Sequence, residues 1–288
     1  MCNAVIENAK NRIEQIASIV IASPWMERLF RLGYAAKGVV YAIVGWLAAS
    51  AALGSGGRTT DTRGALRSLV DRPFGRVLLG LVAIGLSGYV LWRFVQAIMD
   101  TENQGTDAKG IILRLSYAGN GSIYAGLAIT AVQIIIGEVD IDNGYGSRDW
   151  TALLLAQPFG QWLVGTLGAS VIGVGFYEFY QAYTAEFRQK FKLNEMSDIE
   201  KTWATHIGRF GLVAKGVVYS IIVFFLIQAA HQSNSNQVRG LEGALDSLAR
   251  QPYGLWLLGI VAIGLIAYGV YYMVQARYRR IHNKLMSI

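Results

Sequence analysis

The sequence predicts an all-α integral membrane protein, with six transmembrane helices arranged as three helical-hairpin repeats. Three observations predict it. Only 16% of the 288 residues are charged, against about 25% in ordinary soluble domains. Six apolar stretches approach or exceed the roughly 20 residues needed to cross about 30 Å of hydrocarbon. One pattern of residues recurs three times along the chain, the signature of a repeated structural unit. The 33 glycines fit this class, because close packing of small residues replaces, between helices in lipid, the drive that water supplies to soluble folds.

Residues 1–27 come first. Val5, Ile6, Ala9, Ile13, Ile16, Ala17 and Val20 recur at three- and four-residue steps with Glu7, Lys10, Arg12 and Glu14 between them, the spacing of an amphipathic helix. It is expected to lie on the cytoplasmic leaflet and to stop at Pro24. Its alternative use is to dock a membrane-protein partner. The stretch to Ser23 is too interrupted by polar residues for a cleaved secretion signal. Repeat 1, residues 28–107, carries apolar spans at 34–53 and 74–99. Repeat 2, residues 108–193, carries spans at 112–137 and 159–183. Repeat 3, residues 194–288, carries spans at 210–230 and 253–276 and ends in a basic tail.

The repeat is read directly from the residues. Arg31-Leu-Gly-Tyr-Ala-Ala-Lys-Gly-Val-Val-Tyr41 returns as Arg114-Leu-Ser-Tyr-Ala-Gly-Asn-Gly-Ser-Ile-Tyr124 and as Arg209-Phe-Gly-Leu-Val-Ala-Lys-Gly-Val-Val-Tyr219. Pro73-Phe-Gly75 returns as Pro158-Phe-Gly160 and Pro252-Tyr-Gly254, and each second span closes on Gln96-Ala97, Gln181-Ala182 or Gln275-Ala276. The segments joining the two spans place leucines at i and i+3, as in Leu66 and Leu69 or Leu245 and Leu248. Each is expected to form a short helix at the membrane surface, ended by the proline that opens the next span. Small residues recur at fixed places: Gly38 and Ala42, Gly121 and Ala125, Gly216 and Ser220 in the first spans, and Gly80, Gly165 and Gly259 in the second. They are expected at helix–helix contacts. Repeats of one orientation predict a compact bundle with a pseudo-threefold axis along the membrane normal.

The Arg-Leu-Gly-Tyr-Ala-Ala-Lys-Gly-Val-Val-Tyr run, followed by Gly-Ala-Leu and Pro-Phe-Gly, resembles the bacterial membrane-protein family DUF1206, from Glu27 to Arg280. The resemblance implies duplicated two-helix membrane units and carries no activity with it. The middle copy departs from the pattern, with Ser116 in place of glycine and Asn120 in place of lysine.

Lys and Arg on the side that carries both termini are nearly twice as many as on the hairpin-loop side. Both termini are therefore expected in the cytoplasm of a prokaryotic cell, with the chain in the plasma (inner) membrane. Arg58, Arg63, Arg67, Arg72 and Arg76 in the first hairpin loop run against that rule. The net charge of +7 is spent at helix ends, which argues against a nucleic-acid partner and for membrane lipids, anionic ones included.

Lys37, Asn120 and Lys215 occupy equivalent sites, expected about a turn inside the first spans, and Arg93, Glu178 and Tyr272 occupy equivalent sites near the ends of the second spans. In one reading Glu178 pairs with a nearby base while the others reach headgroups. In the other, Lys37, Lys215 and Arg93 converge on an anion or lipid phosphate, with Asn120 beside them, Glu178 as counter-charge and Tyr41, Tyr124 and Tyr219 lining the site. His206, His231 and His282 lie in different segments without ligand spacing, and Cys2 is the one cysteine. No metal, no cofactor and no enzyme chemistry is expected. With no charge expected at mid-membrane, the first expectation is a non-enzymatic structural or protein- and lipid-interaction component. The alternative is a small-anion channel or carrier.

Overall fold

The computed structural model describes residues 23–55, 59–70, 72–102, 104–137, 152–232 and 238–280. The expected N-terminal amphipathic helix lies outside the described residues up to position 22, as do Cys2 and His282. Pro24 is the first residue of α1 (Pro24–Ala52). The backbone N–H of Met26 donates to Ser23 Oγ at 3.4 Å, and proline at the first position has no N–H left to satisfy. α2 (Thr62–Val70) is the first short connecting helix, its first turn held by Asp61, which accepts from the backbone N–H groups of Arg63 and Gly64 at 3.0 and 2.9 Å. The later elements are α3 (Gly75–Met99), α4 (Ala108–Ile136), α5 (Gly160–Thr184), α6 (Asp198–Gln232), α7 (Leu241–Ala249) and α8 (Gly254–Tyr278). Between α5 and α6 run two 3₁₀ turns, Glu186–Lys190 and Leu193–Glu195.

Six of these helices, α1, α3, α4, α5, α6 and α8, are long and apolar enough to cross a membrane. Their surfaces agree: Trp46, Leu81, Ile84, Ile129, Phe176 and Phe224 are exposed on the outside, while Lys37, Gln96, Lys215 and Gln275 are buried inside. A water-soluble bundle would reverse that distribution.

The first helices of repeats 1 and 3 start well before their apolar stretches. α1 begins at residue 24, and 37 − 24 = 13 residues separate its start from Lys37, about 20 Å at 1.5 Å per residue. Lys37 therefore stands at the middle of α1, and Lys215 at the middle of α6 (Asp198–Gln232), not one turn inside. The apolar run had concealed the upstream turns because Glu27, Arg28 and Arg31, or Asp198, Glu200 and Lys201, make them polar without breaking the helix.

The three most extensive contacts are α1 with α8, α3 with α4, and α5 with α6; next come α1 with α3 and α6 with α8. The two spans of the second repeat, α4 and α5, share no comparable contact. Glycine explains the difference. A Cβ at Gly33 or at Gly211 would stand 2.5 Å from the backbone nitrogen of Tyr89 or of Tyr268, so these helices touch backbone to backbone. The equivalent pair in repeat 2 is Ser116 and Val174, both exposed, and serine already carries the Cβ that such an approach forbids.

Two devices recur at the helix ends. At one end, Arg31 Nη1 donates to the Ala276 carbonyl at 2.8 Å, Arg114 to the Ala97 and Ile98 carbonyls at 2.8 Å, and Arg209 to the Tyr183 carbonyl at 3.2 Å. Each arginine thus caps orphan carbonyls at the C-terminus of a neighbouring helix, where a cation is also favoured by the helix dipole. At the other end, Phe74, Phe159 and Tyr253 adopt φ of 60°, 65° and 61° ahead of Gly75, Gly160 and Gly254. A Cβ on any of these glycines would collide with a carbonyl of the preceding turn (Leu69, Leu154 and Ala249). Proline therefore sits in a turn and glycine opens the span.

Candidate binding site

α1, α3, α4, α5, α6 and α8 bring the polar positions of all three repeats to one buried cluster. Lys37 Nζ donates to Tyr89 Oη and Tyr272 Oη, both at 3.0 Å, and lies 4.2, 4.5 and 4.8 Å from the ring centroids of Tyr272, Tyr124 and Tyr89. Lys215 Nζ donates to Tyr268 Oη at 2.5 Å and pairs with Glu178 Oε1 at 3.3 Å. Tyr268 Oη donates in turn to Tyr272 Oη at 3.2 Å. Tyr89 Oη accepts from Arg93 Nε at 2.8 Å and donates to Asn120 Oδ1 at 2.9 Å. One continuous chain of hydrogen bonds therefore runs from Glu178 through both lysines to Arg93 and Asn120.

The chain continues to the face that carries the start of α1 and the end of α8. Arg93 Nη1 donates to Gln96 Oε1 at 2.9 Å, and Gln96 Nε2 to Glu102 Oε1 at 2.6 Å. Glu102 also pairs with Arg279, with Lys190 at 3.1 Å, and accepts from Tyr117 Oη at 2.9 Å. Burial alone would raise the Glu102 carboxyl, but Lys190 and Arg279 beside it hold it well below the usual carboxylate range. This hub joins the α3–α4 loop, the turn after α5 and the end of α8.

A family model described as Domain of Unknown Function (DUF1206) matches residues 32–100, 115–185 and 210–279. The chain belongs to the DUF1206 family. An uncharacterised protein of Bacillus subtilis (strain 168), YxxB, is 38% identical over 256 residues, covering 89% of this chain and 92% of that one. No solved structure matches the chain. The three matched segments are the three hairpins, so each DUF1206 unit contributes one long helix carrying Lys37, Asn120 or Lys215 and one carrying Arg93, Glu178 or Tyr272.

All five candidate polar residues come together in the cluster. The small residues divide. Gly38 meets the Gly269 carbonyl, Gly269 in turn meets Ala42, Gly121 faces Arg93 and Phe94, and Gly216 faces the Phe179 ring. Gly80 and Gly165 face open space and Gly259 has only Ala52 Cβ at 3.9 Å. Those three are not tight contacts within the chain. Ala125 is half-buried, and Ser220 donates to its own helix at Gly216 O, 3.0 Å. Sequence reasoning passed over Glu102, Lys190, Arg279 and the tyrosines Tyr89 and Tyr268. The repeated Gln-Ala pair was the available signal for the hub, since a glutamine kept at an apolar helix end needs a polar partner.

Proposed function

We propose that the protein is a non-enzymatic component of the bacterial plasma membrane whose bundle interior holds a small anion, as a carrier or binding protein, with both termini cytoplasmic. Charge surplus in the cluster carries this reading. Lys37 is 1% exposed and Lys215 5%, and with Arg93 they face one carboxylate, Glu178, which pairs with Lys215. Tyrosine rings and hydroxyls offset part of the cost, at about 0.5–2 kcal/mol per ring contact and about 1.5–3 kcal/mol per bond to a charged group. Desolvating each ion still costs several kcal/mol, so a surplus of buried positive charge calls for a counter-ion.

The order of packed neighbours supports a pseudo-threefold arrangement, in which each first helix lies against the second helix of the preceding repeat. A lipid- or protein-organising scaffold remains the second reading, favoured by the backbone-to-backbone approaches of Gly33, Gly38 and Gly211 and by the tyrosines that fill the centre. Sealed liposomes containing the purified protein separate the two. Carrier function predicts anion uptake that a Lys37→Met and Lys215→Met double variant abolishes. Liposomes that take up no chloride, phosphate or sulfate above the protein-free rate would rule out the carrier, and a protein that also binds none of these anions would leave the scaffold.

A further inference from the structure

A pocket of about 150 Å³ opens beside the lysine–tyrosine cluster on the side of the hairpin loops. That volume equals about five waters, at roughly 30 Å³ each. Its wall takes one equivalent tyrosine from each repeat, Tyr41, Tyr124 and Tyr219, with Asn120 beside them and Thr62 and Arg63 of α2 at its mouth. The tyrosines stand one helical turn beyond Lys37, Asn120 and Lys215, so the pocket lies next to the cationic cluster. Lys37 Nζ is 4.5 Å from the Tyr124 ring centroid, and Lys215 Nζ is 5.1 Å from that of Tyr219.

The pocket's chemistry is one-sided. Among the described residues, none that lines it carries a carboxylate. Asn120 Oδ1 is engaged by Tyr89 Oη, which leaves the two Nδ2 hydrogens for the pocket, and Tyr124 Oη donates to Tyr41 Oη at 3.3 Å, which leaves the Tyr41 hydroxyl hydrogen. Hydroxyl and amide donors therefore converge. The two amide hydrogens of Asn120 and the Tyr41 hydroxyl hydrogen match several oxygens of one group, where a monatomic anion would use only one.

We propose that this pocket receives a phosphate-type oxyanion from the hairpin-loop side. Asn120 and the Tyr41 hydroxyl hold it, and the Tyr41–Tyr124 hydroxyl bond separates it from the lysines behind. The proposal rests on the anion reading above and adds the place and the ligand class. Free phosphate and the phosphate of a lipid headgroup share this chemistry.

The test is the melting temperature of the full chain in detergent, titrated with potassium phosphate against potassium chloride at matched ionic strength. Phosphate is expected to raise it saturably, chloride not. Asn120→Leu and the conservative Tyr41→Phe are expected to weaken the apparent phosphate affinity at least tenfold while each variant still melts cooperatively. Phosphatidic acid in mixed micelles identifies the source: competition with phosphate marks a headgroup site, and an unchanged phosphate titration marks a free-anion site. If phosphate binds, Lys37→Met abolishes it and both pocket variants bind as wild type, the pocket is wrong while the interior anion stands. If neither phosphate nor phosphatidic acid shifts the melt, both fall.

Discussion

Lys37 and Lys215 hold the same place in their repeats, yet only Lys215 has a carboxylate beside it, Glu178 at 3.3 Å. Among the described residues, Lys37 is held by tyrosine hydroxyls and ring faces. The residue with the largest structural burden lies elsewhere. Glu102 gathers Arg279, Lys190, Tyr117 and Gln96 from separate segments of the chain. Its carboxyl is held well below the usual range by Lys190 and Arg279, against the opposing effect of burial. A depressed folded-state pKa contributes stability that is fully present above the unfolded value of about 4.3 and is lost as pH falls toward the folded one. The melting temperature in detergent should therefore decline as pH drops below about 4.5, and Glu102→Gln should flatten that part of the curve. At pH 7 the same substitution leaves Arg279 buried without its counter-charge, at a cost on the order of 3 kcal/mol. A Glu102→Gln protein with wild-type melting at pH 7 and an unchanged acid limb would remove Glu102 from this role.

At the scale of elements, the sequence carried more than its periodicity. Six spans, three repeats and the short helices between spans were readable from apolar run length and leucine spacing, and α2 and α7 are helical where those leucines fall. The role of the repeated arginine was not readable, because a basic residue before an apolar run looks like a topology signal whether or not it bonds anything. Arg31, Arg114 and Arg209 each reach the carbonyls of a neighbouring helix instead. Pro-Phe-Gly was equally visible and equally opaque, since only the packed turn reveals that a carbonyl crowds the glycine. Alanine at each arginine separates capping from membrane orientation. Arg31→Ala and Arg114→Ala should cost about 1.5–3 kcal/mol each, the worth of charge-assisted bonds. Arg209→Ala, which gives up a single exposed bond of 3.2 Å, should cost less. Equal, negligible losses at all three in detergent melts would mean that these bonds contribute nothing to the bundle.

At the scale of the whole molecule, the three repeats are alike in sequence pattern and unlike in closure. α1 with α3 and α6 with α8 close on themselves through Gly33 and Gly211, whereas α4 and α5 are parted at Ser116 and Val174. A second contact fails at the same place. Gly85 meets Ala36, and Gly264 meets Ala214, but the equivalent Ser170 is exposed and Gly119 has open space beside it. The substitution at residue 116 was visible in the sequence as a departure from the repeat, and its consequence, a seam in the second hairpin, follows from the volume of one Cβ between two backbones. Double electron–electron resonance between spin labels at equivalent exposed positions can measure that seam. The pairs are Leu53 with Val77 in repeat 1, Ile136 with Trp162 in repeat 2 and His231 with Trp256 in repeat 3, each changed to cysteine in a Cys2→Ser background. Because all six positions are exposed, labels there leave the helix contacts intact. The first and third pairs should give narrow distributions of similar mean, and the second a broader one, since no extensive contact fixes α4 against α5. Ser116→Gly together with Val174→Tyr, which restores the residues that close the other two hairpins, should narrow the second distribution toward theirs. Three matching distributions in the unmodified background would show that the second hairpin is as closed as the others, and that glycine at this position does not decide closure.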